Sequence, residues 1–161
     1  MKVFLIGFMG SGKTTVAKKL APKLGWDWID LDRMIEKGTG KEVRRIFQEQ
    51  GEMVFRDMEY RYLRRLEDIP AVVATGGGTP CHHGNMEYMN KQGLTVYLKM
   101  SAEQLFSRLN DNPQHRPLLG DLKQEALKEH IVQKIRDRAP YYEKAHLHVA
   151  GFNLDIRELE E

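Results

Sequence analysis

The sequence has little of several features that would assign it to a specialised class of protein. It has one cysteine in 161 residues, so it cannot form an intrachain disulfide, which indicates a reducing, cytoplasmic setting. No apolar run approaches the roughly 20 residues of a membrane span, so we expect no membrane partner. The net charge of +2 is not the basic excess that nucleic-acid binding requires. Without repeats or low-complexity segments, the chain is predicted to form a single domain over residues 1–161, and we expect a monomer.

The most informative feature that is present is a glycine-rich stretch at residues 7–14. It reads GFMGSGKT and fits the phosphate-binding pattern G-x-x-x-x-G-K-[ST]. An apolar run of strand type precedes it and a helical pattern follows it, which favours a nucleotide site over a simple glycine-rich turn. Glycines allow backbone N–H groups to surround an anion. In such a loop Lys13 reaches the β- and γ-phosphates, and the hydroxyl of Thr14 is a ligand for Mg²⁺.

Hydrophobic periodicity predicts strands alternating with helices, which implies an α/β fold with a largely parallel sheet between helices. The five predicted strands cover residues 2–6, 26–32, 71–75, 94–98 and 146–149. The predicted helices cover residues 16–24, 33–37, 41–50, 52–66, 85–91, 101–109, 122–138, 141–144 and 154–161. Residues 110–120 are polar, contain two prolines and are predicted to form an exposed loop.

Three motifs directly follow predicted strands, and ligands of parallel sheets bind beyond the carboxyl ends of the strands. We therefore expect residues 7–14, the carboxylates of Asp30 and Asp32, and the glycines 76–78 to share one rim. If the second strand continues, both carboxylates point the same way; alternatively, Asp32 caps a helix that begins at Arg33. Beside a phosphate loop, two carboxylates suit metal binding and the acceptance of a hydroxyl proton.

Three arginines are candidates for anion binding. Arg56 and Glu59 lie three residues apart on a helix, so they form either a surface ion pair of little value or an oriented guanidinium ready for a carboxylate or phosphate. Arg116 in the polar loop is either solvated or swings over the phosphates to stabilise charge. Arg138 lies near a helix end, where its charge also complements the helix dipole.

The order and spacing of these motifs resemble the shikimate kinase family, a group of small P-loop kinases related to nucleoside monophosphate kinases. Six motifs carry the resemblance over nearly the whole length: GFMGSGKTT at 7–15, DLD at 30–32, FRDME at 55–59, GGG at 76–78, RPLL at 116–119 and RAPYY at 138–142. P-loop kinases in general share only the first motif, whereas the combination of the others is specific to this family.

The resemblance implies a three-layer P-loop kinase fold, with a five-stranded parallel sheet flanked by helices and a mobile lid. It places a substrate-binding helical segment at about residues 31–66 and the lid at about residues 110–122. The implied reaction is the transfer of a phosphoryl group from ATP, with Mg²⁺, to the 3-hydroxyl of shikimate. The products are shikimate 3-phosphate and ADP, a step of aromatic amino acid biosynthesis.

The resemblance also implies roles for the matching residues. The catalytic residues are Lys13 at the phosphates, Asp32 as the base at the 3-hydroxyl and Arg116 in the lid, and the metal is held by Thr14 and Asp30. The implied ATP-binding residues are Gly10, Ser11, Gly12, Lys13, Thr14, Thr15, Arg108, Arg116 and Asn153. The implied shikimate-binding residues are Asp32, Phe47, Phe55, Arg56, Glu59, Gly76, Gly77, Gly78 and Arg138, of which Arg56 and Arg138 bind the carboxylate and Glu59 orients Arg56.

The sequence departs from the family pattern around the glycines 76–78. The segment between Arg56 and these glycines is about one residue short, which leaves open which glycine contacts the substrate. Residues 79–83 read TPCHH instead of the usual small apolar continuation. The histidine pairs at 82–83 and at 146 and 148 lack further ligands at metal-like spacing, so no structural metal is expected.

Other functions remain open at this stage. A gluconate or nucleotide kinase is the nearest alternative, although the arginines at 56, 116 and 138 favour shikimate. A GTP-dependent switch is disfavoured because Asn90 and Lys91 begin an N-K-x-D pattern that lacks its aspartate. A regulator that binds nucleotide without catalysis is disfavoured because the candidate catalytic residues are all present.

Overall fold

The structure, a computed structural model, describes residues 1–111 and 124–150. Its sheet contains five strands: β1 (Lys2–Ile6), β2 (Asp27–Asp30), β3 (Ala71–Ala74), β4 (Gly93–Lys99) and β5 (Leu147–Ala150). All neighbouring strands pair in parallel, in the spatial order β2-β3-β1-β4-β5. The described helices are α1 (Lys13–Leu24), α2 (Leu31–Thr39), α3 (Val43–Gln50), α4 (Glu52–Arg64), α5 (Asn85–Gln92), α6 (Ala102–Asp111) and α7 (Gln124–Tyr142). The predicted three-layer fold with a five-stranded parallel sheet is confirmed.

Both faces of the sheet are buried, which explains why the central strands are apolar throughout instead of alternating with polar residues. Phe4 and Ile6 of β1 pack with side chains from α2 to α5 and from the end of α7. Val3 and Leu5, which point to the opposite face, pack against α1. A third cluster joins α6 and α7 beneath Phe8. These clusters fix the positions from which the loops at the carboxyl ends of the strands project.

The predicted rim forms at the carboxyl ends of three adjacent strands. β1 leads into residues 7–12 and then into α1, β2 ends at Asp30, and β3 leads into the glycines 76–78. β1 and β2 both pair with β3, so these three segments lie side by side. The order of the strands therefore brings the phosphate-type loop, the carboxylates and the glycine turn together.

The second strand is shorter than predicted. β2 ends at Asp30 and α2 begins at Leu31, so Asp32 lies in the first turn of the helix and not on an extended strand. Asp30, and not Asp32, caps this helix, because its Oδ1 accepts a hydrogen bond from the backbone N–H of Arg33 at 3.1 Å. The two carboxylates thus differ in backbone setting, and the interpretation that both point the same way along a strand is wrong.

The helix predicted to end near Arg138 instead continues to Tyr142 with Pro140 inside it. Proline removes a helical donor and crowds the preceding turn, which is why the sequence suggested a break. Tyr142 is completely buried, and its hydroxyl donates a hydrogen bond to the carbonyl of Gly77. Burial of this large side chain holds the last turn of α7 in place despite the proline.

Other boundaries follow the predictions within a few residues. Ser101 and Gln104 form the predicted capping box: Gln104 N–H donates to Ser101 Oγ at 3.1 Å, and Ser101 N–H donates to Gln104 Oε1 at 3.0 Å. Most of the predicted lid, including Arg116, and the C-terminal segment with Asn153 and the helix at 154–161 lie outside the described residues. Within the described ranges, no helix has both the length and the hydropathy needed to cross a bilayer.

Candidate active site

The loop between β1 and α1 has the backbone of an anion cradle. Gly10 and Gly12 have φ angles of +83° and +93°, which L-residues with a Cβ rarely adopt. The ammonium of Lys13, the first residue of α1, is folded back along this loop and donates to the carbonyls of Gly7 and Phe8. Burial lowers the pKa of Lys13 to about 8, although the charge of Asp32 opposes this shift. The cradle therefore holds a desolvated cation at the point where phosphate charge would be neutralised.

Thr14 and Asp30 form a pair of oxygen groups beside this loop. The hydroxyl of Thr14 donates to Asp30 Oδ2 at 2.8 Å, while the other carboxylate oxygen of Asp30 caps α2. Helix capping fixes the carboxylate in orientation, so its position beside Thr14 follows from the fold. A hydroxyl and a carboxylate are the hard oxygen ligands that Mg²⁺ prefers, and Mg²⁺ sites commonly add substrate phosphates to one or two carboxylates. These two residues therefore fit a magnesium site shared with a nucleotide.

Asp32 is half-buried, and one of its carboxylate oxygens is buried and unused. Its Oδ1 has no hydrogen-bond partner within the described part of the chain, and it lies beside Gly76 at the end of β3. Burial, reinforced by the neighbouring charges of Glu59 and Asp30, raises the pKa of Asp32 to about 6. A carboxylate that is costly to leave unpaired and that titrates near neutrality is suited to accept a hydrogen bond or a proton from a ligand hydroxyl.

Asp32→Asn is expected to stabilise the ligand-free protein, because the ionised carboxylate is held above its ordinary pKa of 3.8 at about 6. The shift corresponds to a gain of about 2–3 kcal/mol in the free energy of unfolding at pH 7. Since the folded state binds this proton more tightly than the unfolded state, the gain shrinks as the pH falls below about 6 and is lost below about 4. Urea denaturation at both ends of this range measures it. An equal gain at both pH values would contradict an electrostatic origin.

Arg56 is clamped by two carboxylates of its own helix. Its Nη1 donates to Glu59 Oε1 at 2.7 Å, and its Nε and Nη2 donate to Glu52 Oε1 at 3.3 and 3.2 Å. The Arg56 side chain is only 9% exposed and that of Glu59 only 1%, so the surface ion-pair interpretation is wrong. The guanidinium also lies near the rings of Phe47 and Phe55, whose centroids are 4.7 Å apart. The group is a preoriented cation beside an apolar wall.

Each glycine of the turn after β3 leaves room for a different charged side chain. A Cβ on Gly76 would lie 3.0 Å from Asp32 Oδ1, one on Gly77 would lie 3.0 Å from Arg138 Nη1, and one on Gly78 would lie 2.5 Å from Arg56 Nη2. Consecutive Cα atoms are about 3.8 Å apart, so two guanidinium groups and one carboxylate converge on a single short turn. This convergence explains the three glycines better than flexibility does.

Arg138 reaches the turn from α7. Its guanidinium carbon lies 5.4 Å from the ring centroid of Phe8 in the loop after β1. The side chain of Tyr142, one turn later, fixes the same part of α7 through its bond to Gly77. Arg138 therefore stands between the glycine turn and the phosphate-type loop. The helix-dipole explanation is not needed for a residue inside α7.

A model of the shikimate kinase family matches residues 9–158 of this chain. The curated shikimate kinase of Bacteroides fragilis is 45% identical over 160 residues, covering 98% of this chain and 88% of that protein. The shikimate kinase of Phocaeicola vulgatus is 43% identical over 161 residues, covering 99% and 92%. The chain belongs to the shikimate kinase family.

Solved structures agree with this assignment. Shikimate kinase from Bacteroides thetaiotaomicron superposes with a TM-score of 0.94 at 37% identity, covering 99% of this chain and 96% of that one. Shikimate kinase from Acinetobacter baumannii in complex with shikimate gives a TM-score of 0.86 at 34% identity, covering 98% and 87%. A gluconokinase from Sinorhizobium meliloti, at 16% identity and a TM-score of 0.53, shares the fold alone.

Within this family fold, the structure brings most of the expected site residues to the rim. Arg108 at the end of α6 donates to the carbonyl of Gly10 at 3.0 Å, which places it beside the phosphate-type loop. Ser11 is buried, whereas Thr15 is exposed on α1. Arg116 and Asn153 lie outside the described residues, so their assignments remain predictions.

Sequence reasoning missed two residues that support the arginine clamp, by which we mean Arg56 held by Glu59. Glu52 lies four residues before Arg56, a spacing that predicts a helical ion pair, so it was detectable. Thr79 donates a hydrogen bond to Glu59, twenty residues away, and no local pattern predicts that contact.

Nearby, burial raises the pKa of Cys81 to about 11, so this cysteine is a neutral thiol at physiological pH and not an activated nucleophile.

Gly78→Ala is expected to raise KM for shikimate by about tenfold or more, because the new Cβ would displace the Arg56 guanidinium that it would meet at 2.5 Å. Gly78 has a φ of −97°, which alanine adopts readily, so the effect comes from the clash and not from backbone strain. Steady-state kinetics with each substrate varied in turn measures it, and KM for ATP should not change. In an Arg56→Ala background, Gly78→Ala should add little. A full additional loss there would show that the clash acts elsewhere.

Proposed function

We propose that this protein transfers the γ-phosphoryl group of ATP to the 3-hydroxyl of shikimate, giving shikimate 3-phosphate and ADP in aromatic amino acid biosynthesis. The observation that carries this proposal is the convergence of Arg56, Arg138 and Asp32 on the glycine turn beside the phosphate-type loop. An acceptor with a carboxylate and a hydroxyl matches two guanidinium groups and one carboxylate. Gluconate also has these groups, but the likeness to gluconokinase supports only the shared fold.

On the acceptor side, Arg56 and Arg138 bind the carboxylate of shikimate through charge-assisted hydrogen bonds. Glu59 and Glu52 hold the Arg56 guanidinium before the substrate arrives, so little ordering is lost on binding. Phe47 and Phe55 supply the apolar side of the pocket against the ring. By the family resemblance, we also assign the backbone of the glycines 76–78 to a ring hydroxyl.

Asp32 orients the 3-hydroxyl and takes its proton. As the hydroxyl oxygen bonds to the γ-phosphorus, the bond from that phosphorus to the bridging oxygen of ATP breaks and ADP leaves. The free oxygen of Asp32 is the acceptor for the proton, and the raised pKa of Asp32 makes this transfer favourable near neutral pH.

On the nucleotide side, the N–H groups of residues 10–15 and the Lys13 ammonium bind the phosphates. Thr14 and Asp30 would hold Mg²⁺, which, when bound, neutralises charge on the transferring phosphate oxygens. By the family resemblance we assign Arg116 to a lid over the phosphates, and Arg108 and Asn153 to the adenine. We also propose that the enzyme acts as a cytoplasmic monomer, in keeping with Cys81 as its free thiol.

The test measures the nucleoside diphosphate released in the presence of Mg²⁺, which is ADP from ATP or GDP from GTP, with shikimate, gluconate or a nucleoside monophosphate as acceptor. We expect turnover with ATP that depends on shikimate, and identification of the product by ³¹P NMR as a phosphate monoester at the 3-position. Turnover with gluconate alone would overturn the substrate assignment. ADP release that is independent of every acceptor would indicate an ATPase or a regulator instead.

A further inference from the structure

Thr79, which follows the glycine turn, is a completely buried polar residue in direct contact with the arginine clamp. Its hydroxyl oxygen accepts a hydrogen bond from the backbone N–H of Gly76 at 2.9 Å. The same hydroxyl donates to Glu59 Oε2 at 2.5 Å. The other oxygen of Glu59 accepts from Arg56 at 2.7 Å. One unbroken chain of hydrogen bonds therefore runs from the glycine turn to the guanidinium.

The direction of this chain is fixed by its two ends. A backbone N–H and a guanidinium only donate, so Thr79 must accept from Gly76 and Glu59 must accept from Arg56. The single hydroxyl proton of Thr79 is then available only for Glu59 Oε2. Both oxygens of Glu59 are occupied as acceptors, and the carboxylate has one orientation that satisfies both bonds. Valine at position 79 would match threonine in shape and break the chain at both links.

The backbone of Thr79 is itself held rigidly. Its N–H donates to the carbonyl of Gly76 at 3.2 Å, and its carbonyl accepts from the buried amide of Asn85 at 2.9 Å. Arg64 in turn donates to the amide oxygen of Asn85 at 2.7 Å. The hydroxyl of Thr79 is thus presented from a fixed short 3₁₀ turn, Thr79–Cys81, and is not free to follow Glu59 if that side chain moves.

We propose that Thr79 is a positioning residue for shikimate binding. It holds Glu59, and through Glu59 also Arg56, in a fixed position relative to the glycine turn. The proposal rests on the proposed function, because the clamp that it positions is the one assigned to the shikimate carboxylate. It adds a link across the pocket: Gly76, which bonds to Thr79, also lies against Asp32. The same turn therefore positions both Arg56, at the carboxylate end of the substrate site, and Asp32, at its hydroxyl end.

The test compares Thr79→Val and Thr79→Ser with the unmodified enzyme. Thr79→Val is expected to raise KM for shikimate by about tenfold or more while changing kcat severalfold at most and leaving KM for ATP unchanged. Thr79→Ser, which keeps the hydroxyl and loses only the methyl group, is expected to restore KM to within about threefold of the original value. Hydrogen exchange of the Gly76 amide in the ligand-free protein should be slow in the unmodified and serine proteins and faster in the valine protein.

Thr95→Val is the matched control. Thr95 is equally buried, and its hydroxyl also accepts a backbone N–H, from His146 at 2.9 Å, and donates to a side-chain oxygen, that of Asn90 at 2.6 Å. It lies in β4, away from the rim, so its loss should lower stability without raising KM for shikimate. An unchanged KM in Thr79→Val, or a serine variant as impaired as the valine variant, would overturn the proposal. If the unmodified enzyme does not phosphorylate shikimate, the proposed function fails first, and the amide exchange still reports on the Thr79 bond.

Discussion

Asp32→Ala is expected to abolish measurable phosphorylation of shikimate, lowering kcat by about 10²- to 10⁴-fold, the range that positioned general bases contribute. The physical reason is that Asp32 offers an unpaired, buried carboxylate oxygen at the glycine turn, where the acceptor hydroxyl is proposed to bind. ATP binding should survive, because the cradle at residues 7–14 is built on β1 and α1. Initial rates by coupled ADP detection and ATP binding by calorimetry measure the two effects separately.

The control for this prediction is Asp27→Ala, which removes an exposed carboxylate from the start of β2 and should leave both properties unchanged. A second readout is the pH profile. In the unmodified enzyme, kcat/KM for shikimate should fall as the pH drops through about 6, because Asp32 becomes protonated there. The small residual kcat/KM of Asp32→Asn should not show this fall at low pH. A near-normal rate in either Asp32 variant would remove Asp32 from the mechanism.

The sequence predicted the rim because its signals are local. Residues 2–14 combine a strand, a glycine-rich loop and a helix, and this order alone fixes where Lys13 and Thr14 lie. The alternation of strands and helices then predicts a parallel sheet, and a parallel sheet places the following loops at one edge. The family resemblance added the roles, which composition and periodicity do not contain.

What the sequence did not predict depends on contacts between distant residues. The pattern Asp30-Leu31-Asp32 suits a strand as well as a helix start, and only the burial of Leu31 against the sheet decides for the helix. Pro140 signals a helix end, yet the buried side chain of Tyr142 overrides it. Arg56 and Glu59 look like an ordinary surface pair until the fold covers them. Local propensity is overruled wherever packing supplies the larger free energy.

The spacing of the glycines illustrates the same limit. From the sequence, the segment after Arg56 leaves open which glycine of 76–78 contacts the substrate. The structure shows that each glycine makes room for a different charged side chain, and the glycine that contacts the substrate stays a prediction. The three positions are required together, because they are neighbours of Asp32, Arg138 and Arg56.

The remaining large effect is expected from Arg56→Lys, which should lower kcat/KM for shikimate by about 30- to 4,000-fold, mainly through KM. An ammonium has one donor centre where the guanidinium of Arg56 has three nitrogens, and two of its partners, Glu52 and Glu59, compete for it. Because the Glu59 side chain is 1% exposed, water cannot replace the missing bonds. The variant therefore loses the preoriented guanidinium of Arg56, and it leaves the buried carboxylate of Glu59 without its full set of hydrogen bonds. KM for ATP should be unaffected. Within the described residues, the hydrogen bonds of Arg56 go to Glu52 and Glu59 and not to the loop at residues 7–14.

The substrate provides the decisive comparison. In the unmodified enzyme, the methyl ester of shikimate, which lacks the negative charge, should be a much poorer substrate than shikimate. In Arg56→Lys this preference should shrink, because the group that senses the charge is impaired. Arg45→Lys is the matched control: Arg45 also donates to a glutamate of its own helix, at 2.7 Å, but its side chain is 61% exposed. It should show unchanged kinetics. If Arg56→Lys kept the full preference for the free carboxylate, Arg138 alone would bind that group, and Arg56 would instead serve to neutralise Glu59.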